Sequence, residues 1–337
     1  MHNLSMHAWT VRRPGPIESR PMEWTELERP DPGPGEIRVK VSACGVCRTD
    51  LHVVEGDLAV HRPGVVPGHE VVGVVEALGE GAVRFSVGER VGIPWLRRTC
   101  HRCRFCVGGR ENLCLDPRFT GWDADGGYAE HTLVPDDYAY RIPGNFDDEH
   151  AAPLLCAGII GYRALRRSRL PPGGHLGIYG FGASAHITAQ VAIAEGAAVH
   201  VGTRSRKAQR LALELGAQSA GDAGSPPPRP LDAAILFAPA GDLIPPILDA
   251  LDRAGTMAIA GIHVTRPGAL DYQRHLFNEK TLTTVTANTR RDGDEFFELA
   301  GRLELKIETR PFAMEDADQA LTALATGRLG GVAVLRT

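Results

Sequence analysis

Apolar and polar positions follow two different rhythms along this chain, and the change falls near residue 150. Before it, apolar residues gather in short runs at 37–41, 71–78, 90–93 and 128–134. Turn signals separate these runs at Pro32-Gly33-Pro34-Gly35, at Gly79 to Gly81 and at Gly126-Gly127. The pattern predicts an all-β segment with loops long enough to carry metal ligands. After residue 150, apolar strands at 175–179, 198–201, 233–237, 256–260 and 282–285 alternate with helices at 183–195, 208–215 and 243–251. Such alternation predicts a parallel sheet with helices on both faces. The tail carries a helix at 294–303, a short strand at 307–310, a helix at 316–325 and a final strand at 332–335. No internal repeat is visible. The biased stretch Ser225 to Pro230, SPPPRP, reads as a stiff surface loop.

Composition narrows the class. A chain of 337 residues with 43% hydrophobic positions can bury a sizeable core and predicts two domains. A net charge of −4 gives no electrostatic reason to expect nucleic acid or an anionic membrane as partner. No apolar run approaches the roughly 18 residues of a membrane span. The start, MHNLSMHAW, lacks a basic region followed by an apolar one, so the expected location is the cytoplasm.

The first candidate chemistry is CHRCRFCVGGRENLC, with Cys100, Cys103, Cys106 and Cys114 at C-x2-C-x2-C-x7-C spacing. Four thiolates this close, with a turn at Gly108-Gly109, can wrap one tetrahedral metal ion and leave no position open. The cluster reads as structural zinc. Two disulfides would suit a small secreted domain short of core, which this chain is not. An iron–sulfur site usually ends in Cys-Pro, whereas Leu115 follows Cys114.

The second lies on the first strand-to-helix turn of the alternating region. Gly180, Gly182 and Ala185 form G-x-G-x-x-A after an apolar strand and before a helix. Gly180 permits the tight turn, Gly182 lets a pyrophosphate approach the backbone, and Ala185 allows close helix–strand packing. An NAD site usually places a carboxylate at the end of the next strand. Here that end reads Val201-Gly-Thr-Arg-Ser-Arg-Lys207, with Thr203 and Arg204 where an acid is expected. The three cations could meet a 2′-phosphate or merely be a solvated helix start, and NADP(H) is favoured over NAD(H).

The third constellation is dispersed. Cys47 and Asp50 lie in CGVCRTDLH, His69 and Glu70 in PGHE, and Cys156 in APLLCAG at the seam between the two rhythms. Two cysteines and a histidine with one open position are the ligand pattern of a catalytic zinc that binds an alcohol or carbonyl oxygen. Singly, Cys44-x-x-Cys47 could be a redox pair or buried small hydrophobes, and His69 a satisfied core histidine. Their joint occurrence argues against those readings.

CGVCRTDLHVVEGD, PGHEVVGVV, the four-cysteine lobe, DGGYAEH, APLLCAGIIGY and GFGASAH stand in one order. Over essentially its whole length the chain resembles the medium-chain, zinc-dependent alcohol dehydrogenase family. The resemblance implies a GroES-like catalytic domain at 1–154, with the structural-zinc lobe at 95–115. It further implies a Rossmann domain at 155–288 and a C-terminal return to the catalytic domain at 289–337. It implies two zinc ions per chain, the catalytic one on Cys47, His69 and Cys156 with water or Glu70 as fourth ligand. Thr49 would bond the alcohol oxygen and pass its proton through the nicotinamide ribose to His52. Asp50 would orient His69, and Arg48 would contact the cofactor pyrophosphate. Leu58, Trp95 and Trp122 would line the pocket of a small alcohol or aldehyde, and a homodimer or homotetramer is implied.

Departures from the family pattern sharpen these expectations. Val332 stands where many relatives carry a basic residue that helps hold the pyrophosphate. Cys156 replaces the Glu of polyol dehydrogenases, which favours simple primary alcohols. The alternatives are an NAD-linked dehydrogenase of a specialised secondary alcohol, or a catalytically silent zinc-stabilised binding protein of the same fold.

Overall fold

The computed structural model describes residues 5–337. They form two compact units: residues up to Cys156 with Thr289–Arg302 and Ile307–Thr337, and Ala157–Asn288 with Leu303–Lys306. The sequence reading assigns 303–306 to the C-terminal return. The structure gives them to the second unit, because Gln190 holds Lys306 through two hydrogen bonds, to its N–H at 2.8 Å and its carbonyl at 2.9 Å.

Among the described residues, the first unit is built on a seven-stranded sheet. Its strands run in the order Thr309–Ala313, Val332–Arg336, Glu36–Gly45, Val71–Leu78, Arg90–Ile93 and Tyr140–Arg141, with His131–Pro135 also pairing to Glu36–Gly45. Alternation along Glu36–Gly45 buries Ile37, Val39 and Val41 while Lys40 faces solvent, as a half-covered strand requires. The expected strand at 128–134 starts only at His131. Tyr128 accepts from Trp9 N–H (2.8 Å), beside an antiparallel pair of strands, Ser5–Val11 and Met22–Glu28, that the sequence pattern does not reveal.

The all-β expectation for this half needs one correction. Arg48–Glu55 is an α-helix, opened by Cys47 and closed by left-handed Gly56 (φ +83°). Asp50 at its third position accepts from the Cys47 N–H (2.9 Å), which satisfies a donor the helix start leaves orphaned. Leu51 and Val54 bury its apolar side.

The second unit is a six-stranded, all-parallel sheet in the order Ser219–Gly221, Ala198–Gly202, His175–Tyr179, Leu231–Leu236, Leu251–Ile259, Thr281–Thr284. This is the doubly wound Rossmann order: successive strands are added first to one side of His175–Tyr179 and then to the other, so the strand order reverses there. The strands read as near-continuous apolar runs because both faces are covered: Leu176, Ile178, Val199, Ala234 and Ile235 are fully buried. No helix among the described residues is long and apolar enough to cross a membrane.

Candidate metal centres and nucleotide turn

Strand register assembles a cluster at one end of the first unit's sheet. Cys44 pairs with Val71, and Gly45 N–H donates to the Glu70 carbonyl (2.9 Å), so Cys47 comes out beside His69 and Glu70. Gly45 has no room for a side chain: a Cβ there would lie 1.9 Å from Glu70 Oε2. Val71 pairs in turn with Ile93, which brings Trp95 edge-on to the His69 ring at 5.0 Å. Cys156 arrives from a buried turn, Ala152–Leu155, whose Leu155 packs into the space Gly92 leaves. One ligand atom from each of Cys47, His69, Glu70 and Cys156 lies within 4.8 Å of the others.

Asp50 organises this cluster from behind. Its buried carboxylate accepts from His69 Nδ1 (2.7 Å), Gly68 N–H (3.1 Å), Cys47 N–H (2.9 Å) and the Tyr128 hydroxyl (3.3 Å). A carboxylate so placed can only accept, so Nδ1 carries the imidazole proton and Nε2 turns its lone pair into the cluster. Burial disfavours a charged His69, yet the neighbouring Asp50 outweighs it and holds the imidazole pKa well above its usual value. A hydrogen bond from Cys156 lowers Cys47 well below the ordinary thiol range, and the same contact, with burial, raises Cys156. Burial and then the Cys47 charge push Glu70 well up.

The residues fit a metal ion. His69 Nε2 and Glu70 Oε2 are buried without a hydrogen-bond partner, a state that costs about 1–3 kcal/mol per group unless a ligand compensates it. Two thiols, an imidazole nitrogen and a carboxylate form a soft donor set suited to zinc. Thr49, buried on the helix, places its hydroxyl 3.9 Å from Cys47 Sγ. His52 follows one turn later and donates from Nδ1 to Asp57 (2.7 Å).

Trp95 stacks on Phe119 (4.9 Å) and Trp122 (5.9 Å), and Trp122 stacks on His61 (4.0 Å). The Trp122 indole N–H donates to the Ala59 carbonyl (2.8 Å), which fixes the outer ring. Leu58 and Trp122 together border a cavity of about 70 Å³ whose lining includes neither Trp95 nor any of the four clustered ligands. Phe119 and His61 are members of this aromatic wall that sequence reasoning missed, since their contact with the tryptophans depends on loop paths.

The second cluster is local. Cys100, Cys103, Cys106 and Cys114 also bring their sulfurs within 4.8 Å of one another, with Cys103–Cys106 at 3.5 Å and Cys100–Cys106 at 3.9 Å. A tetrahedron of about 2.3 Å metal–sulfur bonds requires sulfurs about 3.8 Å apart, whereas a disulfide requires about 2.05 Å. All seven cysteines are free thiols. Backbone N–H groups of Cys100, Cys103 and Asp116 point at sulfurs (3.3–3.4 Å), as thiolates require. The lobe is tied down by Arg290, which grips Glu111 (2.9 Å) and Asp137 (2.7 Å) and lies over the Tyr138 ring. Cys44, the cysteine left over, is buried against Gly68 and Gly127 and belongs to neither cluster.

In the second unit Gly180 adopts φ +84°, and a Cβ there would meet Ala238 N at 2.8 Å. Gly182 opens the twelve-residue helix Ala183–Ala194 with open space before it, and Ala185 is fully buried. The turn therefore fits a pyrophosphate at a helix N-terminus. Thr203 is buried at the end of Ala198–Gly202, and Arg204 beside it is exposed. Buried Gln209 donates to the Thr203 carbonyl (2.7 Å) and to Asp222 (3.2 Å), and accepts from Arg206 (3.2 Å). Asp222 is there because Gly202 pairs with Gly221, a neighbour that local sequence spacing does not disclose.

Comparison with known proteins agrees with this geometry. Residues 33–144 match the alcohol dehydrogenase GroES-like domain. The chain is 57% identical over 336 residues to a probable alcohol dehydrogenase, AdhA, of Mycobacterium tuberculosis, covering 98% of this chain and 97% of that one. Among solved structures it resembles a cinnamyl alcohol dehydrogenase from Sorghum bicolor, with 28% identity, TM-score 0.88 and coverage of 98% and 97%. It also resembles a cobalt- and zinc-bound thermostable alcohol dehydrogenase from Pyrobaculum aerophilum, with 26% identity, TM-score 0.87 and coverage of 99% and 100%. With a GroES-like first unit, a Rossmann second unit and a relative more than half identical across its length, the chain belongs to the medium-chain, zinc-dependent alcohol dehydrogenase family.

Proposed function

We propose that this alcohol dehydrogenase interconverts primary, apolar or aromatic alcohols and their aldehydes, with NADP(H) as the preferred cofactor and two zinc ions per chain. The observation that carries the reading is the buried Cys47–His69–Glu70–Cys156 cluster, with its two unsatisfied polar atoms and Asp50 behind it. A zinc ion held by Cys47, His69 and Cys156, with Glu70 or water as fourth ligand, supplies Lewis acidity that lowers the pKa of an alcohol oxygen. A nicotinamide dinucleotide supplies the hydride acceptor.

The chain's own residues do the rest. Thr49 hydrogen-bonds the alcohol oxygen and starts its proton outward, and His52, one turn further along the same helix face, receives it near the surface. Asp50 keeps His69 in the tautomer that presents Nε2. Trp95 and Trp122, with Leu58 beyond, offer an apolar wall on which a substrate chain or ring can lie. The Gly180–Gly182 turn meets the pyrophosphate, and Arg204, with Thr203 in place of a carboxylate, meets a 2′-phosphate.

One observation favours the second reading, an NAD-linked enzyme: Gln209 joins Asp222 to Thr203, so a carboxylate stands near the position where the sequence lacks one. Nicotinamide absorbance with a panel of primary and secondary alcohols and aldehydes, run with both cofactors, tests the whole proposal. The expected result is turnover of primary substrates, aromatic ones included, at lower KM for NADP⁺ than for NAD⁺. Faster turnover of secondary alcohols with NAD⁺ would install the second reading.

A further inference from the structure

The Arg48–Glu55 helix ends in a turn that folds back on itself. Left-handed Gly56 (φ +83°) reverses the chain, and the N–H groups of Gly56 and Leu58 both donate to the His52 carbonyl, at 3.1 and 3.3 Å. The reversal carries the Asp57 carboxylate to 2.7 Å from His52 Nδ1. The His52 side chain is 15% exposed and that of Asp57 53%, so the carboxylate stands on the solvent side of the ring. Glu55, the other acid of this segment, is committed to the Ile17 N–H (3.1 Å).

We propose that Asp57 is a positioning residue for proton release. By accepting from Nδ1 of His52 it fixes the imidazole in the tautomer whose Nε2 carries the lone pair that takes the alcohol's proton. The inference rests on the reading of Thr49 and His52 as the proton path. A carboxylate that can only accept dictates which nitrogen is protonated, as Asp50 does for His69. In alcohol oxidation the substrate O–H bond breaks and its proton reaches Nε2 by way of Thr49; a bound nicotinamide would accept the hydride from the C–H bond. The imidazolium so formed keeps its Nδ1–H to Asp57 and returns the Nε2 proton to water, which regenerates the starting tautomer. The bland rival is a surface His–Asp contact that contributes little.

The two are separated with the holoenzyme. Single-turnover oxidation of the best alcohol from the substrate panel is compared for the wild type, Asp57→Ala, Asp57→Asn and His52→Ala. In parallel, ¹⁵N-histidine NMR reads the His52 tautomer. Asp57→Ala should slow the step about fivefold with KM within about twofold, the worth of one hydrogen bond. Its spectrum should change from Nδ1–H alone to a mixture of tautomers. Asp57→Asn, whose amide oxygen still accepts, should restore rate and spectrum. An enzyme that slows on losing His52 but is indifferent to Asp57→Ala, or no better with Asn than with Ala, would overturn this inference alone. Unchanged turnover in His52→Ala would overturn the proton path beneath it.

Discussion

The two cysteine-bearing clusters have the same number of ligand groups and opposite construction. The lobe takes four thiols from fifteen consecutive residues, three of them half-exposed, with backbone N–H groups pointed at its sulfurs. The other cluster takes two thiols, an imidazole and a carboxylate from positions spread over 110 residues, and buries unsatisfied atoms among them. The first is complete and closed. The second is costly as it stands, and that cost is what a metal and its substrate offset. A closed, satisfied site stabilises the fold, whereas an open, unsatisfied one can do chemistry.

The contrast can be broken most sharply at Cys47. Cys47→Ser is expected to abolish turnover, by about a thousandfold or more, while circular dichroism stays native and elemental analysis still finds the lobe's zinc. Retained activity would end the division of labour. Asp50→Asn probes the support behind the open cluster. It should cost about 10- to 100-fold in turnover and in zinc affinity, because an amide keeps one acceptor oxygen where the carboxylate has two, so either His69 Nδ1 or the Cys47 N–H faces an NH2 group instead of an acceptor; metal titration alongside kinetics reads both. Cys103→Ser tests the closed site. One zinc should be lost and the thermal midpoint should fall by about 5 °C or more, with kcat of the remaining folded enzyme within about threefold. A larger kcat loss would mean that the lobe serves catalysis directly. Arg290→Ala gives the smallest effect. It frees Glu111 and Asp137 without touching a thiol, so zinc content should hold while calorimetry shows a midpoint lower by about 2–4 °C.

Legibility in the sequence followed the same division. The lobe could be read from spacing alone because its ligands are neighbours along the chain, and so could the Gly180 turn. The strands at Val71–Leu78, Arg90–Ile93 and His175–Tyr179 start and stop where their apolar runs do. Cys47, His69 and Cys156 could be listed, but what joins them is strand register, Cys44 against Val71 and Val71 against Ile93. The Arg48–Glu55 helix escaped because β-branched Thr49, Val53 and Val54 and a length of eight residues hide its period. Its cap is a cysteine, whose role shows only once Asp50 is seen to hold the Cys47 N–H. Tyr128 on Asp50, Gly45 against Glu70 and Asp222 beside Thr203 are products of tertiary approach and leave no local signal.

The pairing of the last strand has a consequence for how the protein is made. Glu36–Gly45, which leads directly into Cys47, is bordered on one side by Val332–Arg336, with Leu335 opposite Cys44. On the ribosome the four lobe cysteines emerge together and can take up metal early. The strand that delivers Cys47 is covered on this side by His131–Pro135 only along Glu36–Lys40, and its end at Ala43–Gly45 lacks a neighbour until Val332–Arg336 is made. The expected order of metal loading is the lobe first, and a chain truncated before Val332 should bind metal at the four lobe cysteines while Cys47 lacks the strand that borders its approach; metal analysis of such a truncation checks it.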